Sequence, residues 1–335
     1  MSTQIPALET KPMEIIYFCP TFDKPSGGYK VIYKHAEILS SLGISSAVFH
    51  PGSDNFECTW FNHKTRIIKE RPFMTGENFI VLPETLAVHF YERCVERRLN
   101  YAIFVQNGYL LSSRVQPEDY DRLKSAYENA DILMSISEDT TEMIRTAYPS
   151  IDNDRICRIL PHLAQCFTTG KKEKIISFMP RKLTIHAEKV CFFLRENLPK
   201  EWKLVPIENF TESQVAETLS KSSIFLSFCD LEGFGLPPLE AALSGALVIG
   251  YTGQGAKEYF QQPNFIEIQN GDLRSFVSTT INAIRAIEDG LLFEPSFLEG
   301  IKSLQGLYGS ESEIKRLLNF SLAVQQVLTK NKKAP

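Results

Sequence analysis

Short runs of apolar residues recur along the chain and alternate with stretches that show helical spacing. Most runs carry Ile, Val, Leu and Phe at both even and odd positions, which is typical of parallel strands buried on both faces. The pattern predicts strands at 14–19, 46–49, 79–82, 101–105, 132–137 and 157–160, and a second series at 175–178, 203–205, 224–228, 247–250 and 265–268. Strands that alternate with helices indicate an α/β protein with parallel sheets.

The two series of strands are separated by a polar stretch without periodicity, 166–174, which we interpret as a linker. A chain of 335 residues is long for one core and sufficient for two. We therefore predict two Rossmann-like domains, over 13–168 and 169–310, preceded by a flexible tail over 1–12. Helices are predicted at 272–288 and 312–329, and the last segment, 311–335, can pack back on the first domain.

Composition and charge narrow the class of protein. Hydrophobic residues make up 43% and charged residues 23% of the chain, as in soluble globular proteins, and no run approaches the roughly 20 apolar residues of a membrane span. The polar N-terminus lacks a secretory signal, so we expect a cytoplasmic protein; contact with the inner face of a membrane stays open. A net charge of -4 argues against a broad nucleic-acid-binding face. Seven scattered cysteines without a Cys-x-x-Cys pair indicate neither a disulfide framework nor a zinc site.

A glycine loop follows the first predicted strand. Ser26-Gly27-Gly28-Tyr29 leads into apolar residues at helical spacing, and Gly43 ends that helix. Glycines allow a backbone to approach an anion closely, and the N–H groups at a helix N-terminus favour negative charge. The loop therefore predicts a phosphate site at Gly27 and Gly28, with a simple tight turn as the alternative.

A second glycine loop carries more information. The stretch 230–242 follows the strand predicted at 224–228 and joins a Gly-rich turn to an Ala-rich helix that begins near Pro237. The N–H groups of residues 233–236 would face an anion in a cleft. Glu240 lies about one turn inside the helix, and Glu232 lies on the loop before it. The alternatives are a helix-capping role for Glu232 and a surface role for Glu240.

This region resembles a known family. The spacing of Glu232 and Glu240, the Gly-Phe-Gly-Leu-Pro stretch at 233–237, the Ala-rich helix with Gly245 and the loop 252–258 look like the retaining glycosyltransferases of GT-B fold, family 4. The match is specific over 222–258 and looser in the N-terminal half. The resemblance implies two facing Rossmann-like domains, with the acceptor on the side of the N-terminal one.

The resemblance also implies roles for individual residues. Glu232 contacts the donor sugar and Glu240 the nucleotide ribose, while the loop N–H groups meet the diphosphate and sugar. The loop residues concerned are Gly233, Phe234, Gly235 and Leu236. Arg181 and Lys182 neutralise the diphosphate, although the family more often separates these two cations, and a solvated-surface role is the alternative.

Two further motifs decide between mechanisms. At the loop after the fourth strand the family often has a histidine, and this chain has Gln106-Asn107 instead. An amide can hydrogen-bond a sugar but does not titrate, so Asn107 is either a site residue or a turn former. Asp152-Asn153-Asp154 has the form of a metal-diphosphate motif, but its polar context indicates a turn or a helix cap. With Arg181 and Lys182 available, we predict no metal and no cofactor besides the nucleotide sugar.

The sequence thus predicts a nucleotide-sugar-dependent glycosyltransferase that acts with retention. The acceptor is a carbohydrate, a lipid-linked molecule or another glycoconjugate, and nucleic acid is not expected as a partner. Alternatives that share the fold are a nucleotide-sugar epimerase, a phosphorylase and a non-catalytic sugar-nucleotide-binding protein. A dinucleotide-dependent oxidoreductase is disfavoured because no Gly-x-Gly-x-x-Gly motif with the required context is present.

Overall fold

Seven strands form one parallel sheet. The computed structural model describes residues 13–21, 26–53, 55–70, 75–161, 166–291 and 294–331. The first sheet has the order β3-β2-β1-β4-β5-β6-β7, and every pair in it is parallel. Its strands are β1 (Glu14–Phe18), β2 (Ser45–Phe49), β3 (Ile67–Ile68), β4 (Asn78–Pro83), β5 (Asn100–Val105), β6 (Ile132–Ser135) and β7 (Ile156–Arg158).

The remaining five strands form a second parallel sheet, with the order β12-β11-β10-β8-β9. Its strands are β8 (Glu173–Phe178), β9 (Lys203–Pro206), β10 (Ser222–Glu232), β11 (Leu247–Gln254) and β12 (Phe265–Glu267). The prediction of two Rossmann-like parallel sheets is therefore confirmed. The chain passes from one sheet to the other through residues 159–172, and the boundary at 168 stays a prediction, as does the tail over 1–12, which lies outside the described residues.

Helices cover the faces of both sheets. They are α1 (Gly27–Ser41), α2 (Ala87–Glu96), α3 (Tyr120–Asn129), α4 (Glu138–Ala147), α5 (Thr184–Arg195), α6 (Glu212–Lys221), α7 (Leu236–Leu243), α8 (Leu273–Glu288), α9 (Pro295–Leu307) and α10 (Ser310–Asn331). Two of the starts have clear local causes. Ser137 caps α4 by accepting from the N–H of Thr140, and Thr211 and Gln214 form a reciprocal capping box on α6.

The last helix, α10, belongs to the second half of the sequence but lies against the first sheet. The ring of Phe320 packs edge-on against Phe79 of β4 at 6.2 Å between centroids. Near the start of the helix, Glu313 faces His35 of α1, with 3.4 Å between the carboxylate and Nε2. Near its end, the side chain of Asn331 donates to that of Asn100. Both ends and the middle of α10 are thus held by the N-terminal sheet.

Each sheet has one place where the direction of strand order reverses. In the first sheet this point lies between β1 and β4, and in the second between β10 and β8. At such a point the connections that follow the two neighbouring strands turn to opposite faces of the sheet. A crevice therefore forms at the carboxyl ends of these strands, and α/β proteins bind ligands there. Among the described helices none is both long and apolar enough to cross a membrane.

Candidate active site

The two reversal points face each other. The loop after β1 leads to Gly27 and Gly28 at the start of α1, and the loop after β10 leads to Leu236 at the start of α7. A Cβ atom built on Gly27 would lie 3.1 Å from Cδ1 of Leu236. The glycine loop of the first sheet is therefore in contact with the glycine loop of the second, and the two predicted phosphate sites form one site.

Both helix N-termini present backbone N–H groups. Ser26 and Gly235, the residues that precede α1 and α7, make no side-chain capping bond to their helices. In α7 the second and third residues are Pro237 and Pro238, which have no N–H group. At the start of α7 the uncapped N–H groups are thus those of Gly235 and Leu236. Both belong to the four residues, 233–236, whose N–H groups were predicted to face an anion.

Glu232 lies at the end of β10 and forms an ion pair with Lys182, with 3.0 Å between Oε1 and Nζ. Lys182 comes from the loop after β8, so the reversal point between these strands brings together an acid and a base 50 positions apart. Gly253 and Gly255 pack on Glu232, because a Cβ on Gly255 would lie 2.4 Å from the carbonyl oxygen of Glu232. This close contact between backbone segments fixes the position of Glu232.

Glu240 lies in a pocket between the two sheets, not on the outer surface. The pocket has a volume of about 390 Å³, and Lys30 of α1 and Glu212 of α6 also line it. Burial raises the pKa of Glu240 to about 7, with the positive charge of Lys30 acting in the opposite direction. Lys30 and Glu212 form an ion pair across the boundary between the two sheets. Glu240 is thus half-buried in this pocket, and its contact with a ribose stays a prediction.

The loop after β5 touches both glycine loops. The side-chain Nε2 of Gln106 donates to the carbonyl oxygen of Gly28 at 2.9 Å, and Nδ2 of Asn107 donates to that of Leu231 at 2.8 Å. A Cβ on Gly233 would lie 1.9 Å from the carbonyl oxygen of Gln106. Gly233 is therefore required where two loops meet, in addition to any role of its N–H group.

Two further hydrogen bonds join the sheets beside this contact. The hydroxyl of Thr140 donates to the carbonyl oxygen of Gly233 at 3.3 Å. The carboxylate of Glu258 accepts from the N–H of Glu138, the first residue of α4, at 2.7 Å. An acid at a helix N-terminus is favoured by the helix dipole. The loop 252–258, which the sequence linked to the site, thus holds the N-terminal sheet in place.

Not every predicted residue joins the cluster. Arg181 and Lys182 are both exposed, and of the two Lys182 forms the ion pair with Glu232. The amide of Asn107 is engaged by protein on both sides, because its Oδ1 also accepts from the N–H of Tyr109. It therefore acts as the turn former of the alternative interpretation, and contact with a sugar stays a prediction.

The Asp152-Asn153-Asp154 motif lies in a short 3₁₀ turn, Asn153–Arg155. There the amide oxygen of Asn153 accepts from Arg145 at 2.8 Å. Among the described residues no group of three or more His, Cys, Asp or Glu side chains gathers to hold a metal ion.

Three charged residues of the site were not predicted. Lys30 and Glu212 meet in an ion pair between α1 and α6, which no local pattern indicates. Glu84 directly follows β4 and is buried, with 6% of its surface exposed. An acid immediately after a fully apolar strand was a usable signal for Glu84, since such strand ends line the crevice of an α/β sheet.

Comparison with known proteins finds a glucosyltransferase that is similar to the chain. No family model matches the chain. An α-1,6-glucosyltransferase of Actinobacillus pleuropneumoniae is 23% identical over 253 residues, which cover 71% of this chain and 72% of that protein.

Solved structures give a closer likeness in fold than in sequence. HepE of Anabaena, in complex with UDP-glucose, superposes with a TM-score of 0.72 at 12% identity, over 93% of this chain and 100% of HepE. Sucrose-phosphate synthase of Thermosynechococcus elongatus gives 0.69 at 14% identity, over 95% of this chain and 100% of the synthase. The chain therefore has the fold of the GT-B glycosyltransferases, with two Rossmann-like parallel sheets.

Proposed function

We propose that the protein is a glycosyltransferase that moves a sugar from a nucleoside-diphosphate sugar to an acceptor hydroxyl with retention of configuration. The observation that carries the proposal is the convergence of Glu232, Glu240 and Lys182 beside the start of α7, opposite Gly27 and Gly28. The likeness to a glucosyltransferase and to a protein crystallised with UDP-glucose supports the same activity.

The donor diphosphate fits the positive end of the site. The N–H groups of Gly235 and Leu236 and the ammonium of Lys182 can bind its oxygens, and the N-terminus of α1 approaches from the other side. Lys182 is paired with Glu232 in this structure, so the diphosphate would compete for the same cation. Glu240 accepts from the ribose hydroxyls in its pocket, and its ionised form does so more strongly because both carboxylate oxygens then accept.

The chemistry follows from the charge that develops. When the bond between the anomeric carbon and the diphosphate breaks, negative charge grows on the leaving group. Fixed N–H dipoles and Lys182 stabilise that charge more in the transition state than in the ground state, and this difference accelerates the reaction. Glu232 binds hydroxyls of the transferred sugar. The acceptor hydroxyl attacks the anomeric carbon from the face that the diphosphate leaves, and its proton passes to an oxygen of the departing diphosphate. We propose a carbohydrate, lipid-linked or other glycoconjugate acceptor.

The first experiment is a thermal-shift screen against UDP, GDP, dTDP and ADP sugars. A ligand that binds only the folded state raises the melting temperature with the logarithm of its concentration. Donors that shift the melting temperature are then incubated with and without acceptor sugars, and the anomeric configuration of the product is read by NMR. Change of the sugar without an acceptor would identify an epimerase, and binding without turnover a non-catalytic protein.

The roles of the two glutamates are separable by kinetics. Glu240→Gln should mainly raise the donor KM, because ribose contacts are similar in the ground and transition states. Glu232→Gln should mainly lower kcat. Each effect should be on the order of 10- to 100-fold, since a hydrogen bond to a charged group contributes roughly 1.5–3 kcal/mol. Glu201→Gln, at an exposed position, is the matched control. Reversed phenotypes would contradict the role assignment.

A further inference from the structure

The start of α7 depends on one peptide unit for its anion-binding N–H group. Among the first three residues of the helix only Leu236 carries an N–H group, because Pro237 and Pro238 have none. This N–H group belongs to the peptide unit whose carbonyl group is that of Gly235. The unit is planar and trans, so its N–H and C=O bonds point in opposite directions. A contact that fixes the carbonyl oxygen of Gly235 therefore also fixes the direction of the N–H group of Leu236.

The sequence around this peptide unit restrains it only weakly. Gly235 has φ 79° and ψ 67°, in the left-handed region. A glycine lacks a Cβ and can adopt more backbone conformations than any other residue. As the residue that precedes α7 it also has no side chain that could cap the helix. The orientation of the unit is therefore open to contacts from elsewhere in the fold.

Tyr259 makes such a contact. Its hydroxyl donates to the carbonyl oxygen of Gly235. A carbonyl oxygen has two lone pairs, so it can accept this bond in addition to the first hydrogen bond within α7. The side chain is 4% exposed, and its ring centroid lies 5.4 Å from that of Phe234, 5.8 Å from that of Tyr308 and 5.5 Å from that of Phe265. Aromatic rings thus pack around the phenol and hold its hydroxyl in place.

The segment that carries Tyr259 is itself held by both halves of the chain. A Cβ built on Gly235 would lie 3.0 Å from Oη of Tyr259 and 3.2 Å from Cβ of Ala256, so this turn packs closely against the start of α7. The residue before Tyr259 is Glu258, whose carboxylate accepts from the N–H group of Glu138 at 2.7 Å. One short turn therefore bonds the N-terminal half of the chain and the N-terminus of α7.

We propose that Tyr259 is a positioning residue, whose hydroxyl holds the peptide unit between Gly235 and Leu236 so that the N–H group of Leu236 faces the donor diphosphate. Tyr259 acts through the backbone and touches neither donor nor acceptor. A hydroxyl bonded to the carbonyl oxygen also polarises the peptide unit, which makes its N–H group a stronger donor. The identity of the anion rests on the proposed glycosyltransferase function, whereas the orientation of the peptide unit does not.

NMR spectroscopy tests the orientation on the full chain. The sequence contains three Gly–Leu peptide units, at 235–236, 290–291 and 306–307. Glycine labelled with ¹³C at its carbonyl carbon and leucine labelled with ¹⁵N therefore give three correlation signals, which Gly290→Ala and Gly306→Ala assign by removing one signal each. In Tyr259→Phe, which lacks only the hydroxyl, the signal of 235–236 should shift because its carbonyl group loses a hydrogen bond. The other two signals should stay in place.

Tyr101→Phe is the matched control. The side chain of Tyr101 is also buried, and its hydroxyl donates to the carbonyl oxygen of Ala126 at 2.7 Å within the N-terminal half. This variant loses the same chemical group from the same kind of bond, but far from α7 in the sequence. It should leave all three signals unchanged. A fall in melting temperature that both variants share reports the loss of a buried hydrogen bond and not a change at the site.

Calorimetry tests the link to the diphosphate. The tightest ligand among UDP, GDP, dTDP and ADP is titrated, and its nucleoside is titrated for comparison. Tyr259→Phe should weaken binding of the nucleoside diphosphate by about 2- to 10-fold, the effect of about one hydrogen bond. Binding of the nucleoside should not change, because it has no phosphate and the pocket of Glu240 is intact. Tyr101→Phe should bind both ligands as the wild-type protein does.

Transfer kinetics adds a second functional readout. Loss of one backbone or side-chain donor to a developing negative charge lowers kcat roughly 100- to 1000-fold, and a misaligned donor should have a smaller effect. We therefore expect kcat of Tyr259→Phe to fall by about 10- to 100-fold at saturating donor, and kcat of Tyr101→Phe to stay at the wild-type value.

Each outcome decides the matter. An unmoved 235–236 signal in Tyr259→Phe would overturn the inference, and so would equal weakening of the nucleoside and the nucleoside diphosphate. If Tyr259→Phe does not fold, 3-fluorotyrosine in place of Tyr259 decides, because its more acidic hydroxyl is a stronger donor and should move the same signal. If no nucleoside diphosphate binds the wild-type protein, the proposed function fails while the NMR signal still decides on the orientation of the peptide unit.

Discussion

Replacement of Gly233 by alanine tests the contact between the two sheets with a single methyl group. The added Cβ would lie 1.9 Å from the carbonyl oxygen of Gln106 and 2.7 Å from Cα of Asn107, whereas ordinary contacts of Cβ atoms begin at 3.4 Å. Both obstacles are backbone atoms and cannot rotate away. Gly233 does not adopt positive φ, so the effect of the substitution comes from this contact alone.

The magnitude follows from the missing distance. Relief of the overlap requires the two loops to separate by about 1.5 Å, and forced overpacking of this kind costs roughly 1–3 kcal/mol. Each sheet can keep its own core, so most of the cost falls on the approach of the sheets to one another. A separation larger than about 1 Å at the reacting centre should lower kcat/KM by on the order of 100-fold.

The assay combines thermal denaturation with transfer kinetics. Gly306→Ala is the control, because Gly306 lies in α9 with no atom within 4 Å of its built Cβ. That variant should keep full activity and gain up to about 1 kcal/mol of stability, since alanine is the better helix former. Full activity and an unchanged melting temperature in Gly233→Ala would show that the sheets do not meet at this glycine in the working enzyme.

Four further results are expected. Lys172→Met should lower the free energy of unfolding by about 2–4 kcal/mol in urea titrations. The reason is that the side chain of Lys172 donates to the carbonyl oxygens of Leu219 and Ser220 at the end of α6 and to that of Ser244 after α7. Lys171→Met, at an exposed position, is the control and should leave the free energy of unfolding unchanged. Donor affinity should rise roughly 5- to 10-fold from pH 6 to pH 8 as Glu240 ionises, and should be flat in Glu240→Gln. The contribution of Glu240 to the free energy of unfolding should fall as the pH rises from about 4.5 to 7. The folded state binds the carboxyl proton of Glu240 more tightly than the unfolded state does. EDTA should leave transfer unchanged, because we propose that Lys182 stabilises the leaving diphosphate without a metal; loss of activity that manganese restores would contradict this.

Most of the fold could be predicted from the sequence because buried parallel strands leave a strong local pattern. Eleven predicted strands correspond to strands of the structure, usually within one or two residues at each end. β10 and β11 run four residues further than predicted, into the site loops, where Gly and charged residues hide the strand pattern. The two-residue β3 and the helix α9 were missed, the first because it is too short to show a period.

The site was predictable where its residues follow one another in sequence. Glu232 and Glu240 come from one loop and its helix, so their spacing determines their relation. Lys30 and Glu84 depend instead on how the two sheets approach and on which strand lies beside which. Such contacts between distant positions leave no mark in a local pattern. The cross-sheet bond of Asn107 to Leu231 is another of them, whereas its turn role was one of the two alternatives that the sequence offered.

The return of α10 to the first sheet has a consequence for how the chain reaches its folded state. The N-terminal sheet cannot bury the ring of Phe79 or enclose His35 until the segment Ser310–Asn331 has been synthesised. The second sheet, by contrast, is complete once β12 has emerged. The N-terminal sheet, which is synthesised first, should therefore be the last to complete its folding. A nascent chain stalled near residue 300 should carry an exposed apolar face that chaperones recognise.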